Sequence, residues 1–215
     1  MTVKKRRTYR SELRSEQAAA TRARILEAAR NALAVAGVSG VTMEEVAQAA
    51  RVSVPTVYAI HGNKQRLLRE VLEGIGRAAG LGDRVRQILE TSDSCTQLAM
   101  TASLSRHLWE RAAGVLRGIR TSAAGDRDVA DWWRDIENER LAGQRPLIVA
   151  LERRGDLREE LTVDVAADLL VALSGPSFYL LLTDERGWPA RRYEQWLASG
   201  LQQVLLRNEV RCRSA

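Results

Sequence analysis

The chain has 215 residues, of which 45% are hydrophobic, so we expect a globular protein of one or two domains rather than a disordered one. It carries 33 basic and 27 acidic side chains in total. Residues 1–80 hold 14 basic and 7 acidic side chains, whereas the remainder holds 19 basic and 20 acidic. The whole positive excess lies in the N-terminal third, as expected of a surface that binds phosphates.

The first 14 residues are polar and strongly basic, and we expect them to form an arm ahead of the first domain. Such an arm either reaches phosphates and a neighbouring minor groove or makes no fixed contact, and the sequence leaves both open. From 15 to 36, apolar residues recur at helical spacing, and Gly37 then provides a typical helix end. The pattern predicts a first helix over 15–36.

Two short helices joined by a tight turn are predicted next. Thr42, followed three residues later by Glu45, forms a capping box that marks a helix start. The turn falls at Arg51–Val52, Ser53 caps the following helix, and Pro55 is tolerated in its first turn. The outward side chains of this second helix include no acid. The layout is that of a helix-turn-helix whose second helix enters the DNA major groove, with an ordinary helical hairpin as the alternative.

The rest of the chain also has helical spacing. A fourth helix is expected to run to about 79, and a domain boundary near 80–82 separates 15–80 from 81–215. The predicted later helices are a short one over 83–91 and longer ones over 96–121, 127–154, 163–182 and 189–208. No segment alternates with a period of two, so we predict an all-α protein.

Several features of the sequence bear on the cellular compartment in which the protein is expected. The two cysteines, Cys95 and Cys212, are far apart and form no CxxC motif, so we expect no disulfide framework and a reducing environment. The N-terminus lacks the apolar run of a signal peptide. The longest apolar stretch, 169–182, is too short to span a membrane and is broken by Gly175–Pro176. We therefore expect a cytoplasmic protein that binds no membrane.

The stretch from Ile25 to Leu68 resembles the tetracycline-repressor (TetR) family of bacterial transcription regulators. The matching residues are Ile25–Leu26, Ala28–Ala29, Gly37, Val41–Thr42, Val46–Ala47, Val52–Ser53, Val57–Tyr58, Lys64 and Leu67–Leu68. The resemblance implies a homodimer with an N-terminal DNA-binding domain and a C-terminal ligand-binding and dimerisation domain. Two positions depart from the pattern, since Arg51 replaces the usual turn glycine and Ala59–Ile60–His61 replaces a more aromatic run.

Carried over residue by residue, the resemblance implies a set of DNA contacts. The predicted DNA-binding residues are Thr42, Arg51, Ser53, Val54, Pro55, Thr56, Tyr58, His61 and Lys64. The chemistry of these residues agrees with a role in DNA binding, because helix N-termini and cations bind phosphate while small side chains and methyl groups contact bases. Lys64 has the alternative of a solvated surface lysine, but a cation opposes the dipole at a helix N-terminus, which favours a phosphate role.

No HExxH, GxSxG or Walker motif is present, and the two histidines are far apart, so we expect neither an enzyme nor a cofactor or metal. Aromatic side chains of the C-terminal domain can line a largely apolar ligand pocket, although most such residues belong to a core or an interface. The candidate pocket residues are Met100, Leu104, His107, Trp109, Trp133, Phe178 and Tyr179. Trp132 and Trp133 are adjacent, so only one of them is expected to face inward.

The last two predicted helices carry broad apolar faces, which predict a four-helix bundle with their two-fold mates. The predicted interface residues are Leu169, Leu173, Trp196, Leu197, Gly200, Leu201 and Val204, with Leu201 near the two-fold axis. We therefore expect a dimeric repressor that binds a palindromic operator in double-stranded DNA and is released by a small, largely apolar molecule. The alternative is a constitutive or architectural DNA-binding protein without a ligand.

Overall fold

The computed structural model describes residues 3–123, 127–210 and 212, with side chains from Ser15 onward except that of Ala123. Within these ranges the regular secondary structure is helical, apart from one isolated antiparallel bridge between Leu157 and Leu206. The elements are α1 (Val3–Gly40), α2 (Met43–Ala50), α3 (Val54–His61), α4 (Lys64–Ala78), α5 (Leu81–Glu90), α6 (Ser94–Ala123), α7 (Arg127–Arg153), α8 (Val163–Leu173), α9 (Pro176–Leu180), a π-helical turn (Leu181–Glu185) and α10 (Ala190–Leu205). The all-α prediction is confirmed.

The first helix is longer than predicted. It begins at Val3 rather than near residue 15, so the expectation of an arm without regular structure is wrong for residues 3–14, while residues 1–2 lie outside the described range. The predicted break is present, because Gly37 has φ 70° and ψ −179° and kinks the helix. A positive φ of this kind suits glycine, which has no Cβ.

The long helix α6 lies at the centre of the fold, in contact with α1, α5, α7, α9 and α10. Two glycines allow α1 to approach it closely. A Cβ placed on Gly118 would collide with the carbonyl oxygen of Leu33 and lie 3.1 Å from Cα of Gly37. The backbone N–H of Ser39 also donates to Oγ of Ser122 at 3.2 Å. The predicted boundary near residue 80 therefore separates two regions that pack together along α1 and α6.

The inward face of α10 belongs to the core of the protomer. Its buried residues are Tyr193, Leu197, Leu201 and Leu205. Leu197 and Leu201 are 1% and 0% exposed, so the prediction that they form a dimer interface is wrong for this fold. The wide apolar face of α10 is shared between an inward stripe and a half-exposed one, and sequence spacing did not separate the two.

Cys95 and Cys212 form a disulfide, with their Cα atoms 5.4 Å apart. The expectation of no disulfide is therefore wrong. Cys95 lies at the start of α6, and Cys212 lies in the segment that follows α10 and returns beside it. A separation of 117 residues carries no motif from which this pairing could be predicted.

One apolar stretch, Val163–Glu185, is long and apolar enough to cross a membrane by length and composition alone. The helix breaks at Gly175, where α9 begins with Pro176, as predicted from the sequence. Within this stretch, 44% of the most apolar 18-residue segment is buried inside the fold. Core helices of soluble proteins pass the same test, so this stretch is weak evidence for a membrane span.

Candidate nucleic-acid interface

The helix-turn-helix is built by the caps that the sequence predicts. The backbone N–H of Glu45 donates to Oγ1 of Thr42 at 3.2 Å, and the Thr42 N–H donates to the Glu45 carboxylate at 3.2 Å, which completes a capping box. At the start of α3, Oγ of Ser53 accepts from the backbone N–H of Thr56 at 3.3 Å. Both helix starts are therefore fixed by side chains on the exposed surface.

Arg51 forms the turn between α2 and α3 in the left-handed region, with φ 55° and ψ 50°. It is the one non-glycine residue with positive φ among the described residues. This conformation costs a side chain about 1–2 kcal/mol, which explains why the family uses glycine here. The Arg51 side chain is exposed at the turn, where its guanidinium is free to reach a phosphate.

The outward face of α3 has no acidic side chain. Pro55 and Ala59 are exposed, Tyr58 is 47% exposed, and Val54 and Thr56 are half-buried. These residues present methyl groups, a hydroxyl and a phenol, which are groups able to contact base edges and phosphates.

Lys64 begins α4 shortly after Gly62, which ends α3. The Asn63 side chain caps α4 by accepting from the Arg66 N–H at 2.9 Å. Lys64 is half-buried at the first residue of the helix. A cation in that place is disfavoured by the helix dipole unless an anion lies nearby.

His61 does not belong to this surface. It is 0% exposed, and its Nδ1 lies 2.8 Å from Oε2 of Glu70 on α4. Direct contact of His61 with DNA, which we predicted, is therefore wrong for this conformation. Sequence reasoning also missed Glu70, although the inward stripe of α4 around Leu67 and Val71 contains this acid and so signals a buried partner.

The candidate ligand residues differ in their burial and in the groups that they contact. Trp109 is buried and donates from Nε1 to the Ser174 carbonyl at 2.7 Å. Tyr179 is buried edge-on against Tyr193, with ring centroids 5.1 Å apart. The remaining members of the set are as follows: Leu104 is buried, and Met100, His107, Trp133 and Phe178 are half-buried. Of the adjacent tryptophans, Trp132 faces the interior and Trp133 lies partly exposed.

A polar cluster lies inside the C-terminal domain around Arg140. Its guanidinium pairs closely with Glu137, donates to the Val171 carbonyl at 3.2 Å and lies 5.2 Å from the Trp109 ring centroid. Burial lowers the pKa of Arg140, against the opposing effect of the Glu137 carboxylate. Burial likewise raises the pKa of the Tyr193 phenol well above its ordinary value. Four buried side-chain atoms have no hydrogen-bond partner among the described residues: Oη of Tyr193, Nε1 of Trp132 and Oε1 of Glu137 in the C-terminal domain, and Nε2 of His61.

Two depressions open on the surface of the described part of the chain. A groove of about 1650 Å³ runs between α6 and α10, and a smaller one of about 400 Å³ follows α7 around Pro146. Neither is lined by any of the seven candidate ligand residues. Neither depression therefore supports the prediction that these residues share one pocket.

Two half-exposed apolar stripes remain on the last helices. On α8 the stripe consists of Leu169, Leu173 and Val165, of which Val165 is 47% exposed. On α10 it consists of Trp196, Gly200 and Val204. Each stripe repeats every four residues, which places its members on one side of a helix. Five of the seven predicted interface residues lie in these stripes.

Comparison with known proteins agrees with this geometry. Residues 25–71 match the family model for bacterial regulatory proteins of the tetR family. Over 161 residues, covering 74% of this chain and 76% of the relative, the chain is 29% identical to an uncharacterised HTH-type transcriptional regulator of Bacillus subtilis (strain 168), YdeS.

Two solved structures share the fold. The secondary repressor of the MexAB-OprM multidrug efflux pump in Pseudomonas aeruginosa, NalD, superposes with a TM-score of 0.66 at 22% identity, covering 89% of this chain and 99% of NalD. The Bacillus subtilis regulator FadR, in complex with stearoyl-CoA, has a TM-score of 0.66 at 16% identity, covering 84% and 97% of the two chains. The match over residues 25–71 covers the helix-turn-helix, and the solved structures share the fold of most of the chain, so the chain is similar to DNA-binding transcription regulators of the TetR family.

Proposed function

We propose that this protein is a cytoplasmic, homodimeric repressor that binds a palindromic operator through α3 and is released by a small, largely apolar molecule. The observation that carries the proposal is the exposed, acid-free face of α3, set between two capped helix starts in the basic N-terminal third of the chain. Thr42, Arg51 and Lys64 supply phosphate contacts, and Val54, Thr56 and the residues beside them supply base contacts. The two domains, 15–80 and 81–215, divide DNA binding from ligand binding and dimerisation.

The DNA contacts are tested by comparing substitutions of two kinds. Lys64→Ala should weaken binding to all sequences and reduce the slope of log K against log salt by about one. Arg77→Ala, at the other end of α4, is the matched control, because it removes one exposed cation paired with Glu73 and should leave the slope unchanged. Substitutions of Val54 and Thr56 should instead alter base preference. Equal slopes for Lys64→Ala and wild type would remove Lys64 from the interface.

The two half-exposed stripes support the dimer. A Cβ on Gly200 would have no atom within 4 Å, so packing inside the protomer does not require glycine there. A small residue in the middle of an apolar stripe suits close approach of a partner helix instead. Leu169 and Leu173 on α8 and Val204 on α10 surround the contact, and a two-fold axis would repeat them as an isologous interface.

The interface is tested by Gly200→Leu, which should fit the protomer and shift sedimentation from dimer to monomer. Gly143→Leu on α7 is the matched control, since Gly143 also has open space around it but lies outside the stripes. Val204→Arg should act like Gly200→Leu. A Gly200→Leu protein that sediments as a dimer and binds DNA normally would place the interface elsewhere.

Two unpartnered polar atoms in the C-terminal domain support a ligand site. Buried polar groups are nearly always hydrogen-bonded, so Oη of Tyr193 and Nε1 of Trp132 are candidates to receive a ligand's polar group. The rings of Trp109 and Tyr179 would then contact its apolar part. Structural neighbours have been seen in complexes with stearoyl-CoA and with triclosan, and such molecules are the class that we propose for this chain.

A panel of apolar metabolites, scored by release of bound operator, tests the switch. Tyr193→Phe should raise the concentration needed for release while leaving operator affinity without ligand unchanged. Linkage requires operator DNA to weaken ligand binding by the same factor as the ligand weakens DNA binding. Equal ligand affinity with and without operator would favour the constitutive DNA-binding protein instead.

A further inference from the structure

The recognition helix α3 is held by few buried side chains. Of its eight residues, Val57 and His61 are buried. They lie four residues apart and so face the same side of the helix. Val57 packs against apolar neighbours, and such packing constrains distance more than direction because the hydrophobic effect is non-directional. The orientation of α3 about its own axis therefore depends on what His61 contacts as well as on the half-buried Val54 and Ile60, which pack against the core.

His61 takes part in a polar cluster that joins three helices. Its Nδ1 lies 2.8 Å from Oε2 of Glu70 on α4. The same carboxylate oxygen accepts from Nη2 of Arg22 on α1 at 2.6 Å. Arg66, one turn before Glu70, approaches the other carboxylate oxygen at 3.6 Å. Nε2 of His61 has no hydrogen-bond partner among the described residues. Within the described part of the chain, the contact between Nδ1 and Glu70 is therefore the one hydrogen bond that orients this ring.

We infer that Glu70 is a positioning residue for base recognition, which acts through His61 to fix the rotation of α3 in the major groove. The inference rests on the proposed binding of DNA by α3. Rotation matters because Thr56 lies on a different side of this short helix from Val54 and Tyr58, and a small turn changes which of these side chains meets a base edge. Glu70 touches no DNA, yet it determines how α3 is presented.

The alternative is that the cluster only stabilises the fold. The ion pairs of Glu70 are poor sources of net stability, since the Arg22 and Arg66 side chains are 46% and 66% exposed and water screens such pairs. Their directed hydrogen bonds, by contrast, select one arrangement of the helices they join.

The experiment measures the ratio of specific to non-specific DNA affinity for full-length variants. The specific site is the one that wild-type protein selects from random DNA, and all proteins are compared at a temperature where circular dichroism shows them folded. Glu70→Gln should lower the ratio about tenfold, the loss expected for one impaired base contact. Its non-specific affinity and salt slope should stay at the wild-type values, because the phosphate contacts are intact. A role in stability alone would move the melting temperature and not the ratio.

The control and a second variant keep the test decisive. Glu73→Gln makes the same change of charge on the exposed side of α4, where Glu73 pairs with Arg77, and should leave the ratio unchanged. His61→Phe keeps a planar ring of somewhat larger volume, removes the directed bond and leaves Glu70 paired with Arg22, so it should fold and lower the ratio as Glu70→Gln does. His61→Asn, which retains an N–H donor near the position of Nδ1, should recover part of the ratio.

Several outcomes would overturn the inference. A His61→Phe protein with the wild-type ratio and the wild-type selected sequence would show that the cluster does not orient α3. An equal loss in Glu73→Gln would assign the effect to charge alone. If wild-type protein selects no sequence at all, the proposed function fails, and the inference fails with it. A wild-type preference that survives in both cluster variants would refute the inference alone.

Discussion

Replacing Gly118 by alanine should force α1 away from α6. The added Cβ would lie within 3.0 Å of the Leu33 carbonyl oxygen, 3.1 Å from Cα of Gly37 and 3.2 Å from the Leu33 carbonyl carbon. All three are backbone atoms of α1, so no side chain can rotate out of the way. Overpacking of this kind typically costs about 1–3 kcal/mol, and the upper part of that range applies where backbone must move.

Gly143→Ala is the matched control for this prediction. Gly143 lies within α7, is exposed and has no atom within 4 Å of an added Cβ. Alanine is favoured over glycine in an exposed helix interior by about 1 kcal/mol, so this variant should be stabilised. The same chemical change should thus have opposite signs at the two positions.

Urea unfolding followed by circular dichroism measures both variants. The free energies of unfolding of Gly118→Ala and Gly143→Ala should differ by roughly 2–4 kcal/mol, with wild type between them. Operator binding by Gly118→Ala should also weaken, because α1 carries the helix-turn-helix against α6. A Gly118→Ala protein as stable as Gly143→Ala would refute the close approach of the two helices.

Three further predictions follow from single features. Arg51→Gly should raise the free energy of unfolding by about 1 kcal/mol, because glycine adopts the left-handed conformation without steric strain. The same variant should bind DNA more weakly. An unchanged free energy of unfolding in urea would contradict this prediction. Reduction of the Cys95–Cys212 disulfide should lower the melting temperature, since closing a loop of 117 residues stabilises the fold by up to about 4–5 kcal/mol. The melting temperature of Cys95→Ser should not change on addition of reductant. Burial lowers the pKa of His61 below its ordinary 6.5, so below that pH the unfolded chain binds more protons than the folded one. The free energy of unfolding should therefore fall as the pH drops below 6.5. In His61→Phe the free energy of unfolding should depend less on pH over this range.

Local features of the fold could be predicted from the sequence because their causes are local. The capping box of Thr42 and Glu45, the kink at Gly37 and the break at Pro176 each depend on a few adjacent residues. The sequence placed Arg51 in the turn, and the structure adds that its backbone is left-handed.

Features that join distant segments could not be predicted. The sequence around Gly118 indicates an ordinary glycine within a helix. Only the contact of Gly118 with α1 shows why a side chain is excluded there. The broad apolar face of α10 gave no sign that Leu201 lies in the core while Val204 stays half-exposed. His61 at the end of a recognition helix suggests a DNA contact until its burial against Glu70 is seen.

The most direct test of the account is a footprint of the wild-type protein on the DNA that it selects. Two reading helices related by a dimer axis should protect two half-sites of inverted sequence, with major-groove contacts about 34–36 Å apart. Protection should be lost from both half-sites together in Val204→Arg, whose recognition helix is unaltered. Uniform protection without a preferred sequence, or one isolated half-site bound with full affinity, would contradict a dimeric operator-binding regulator.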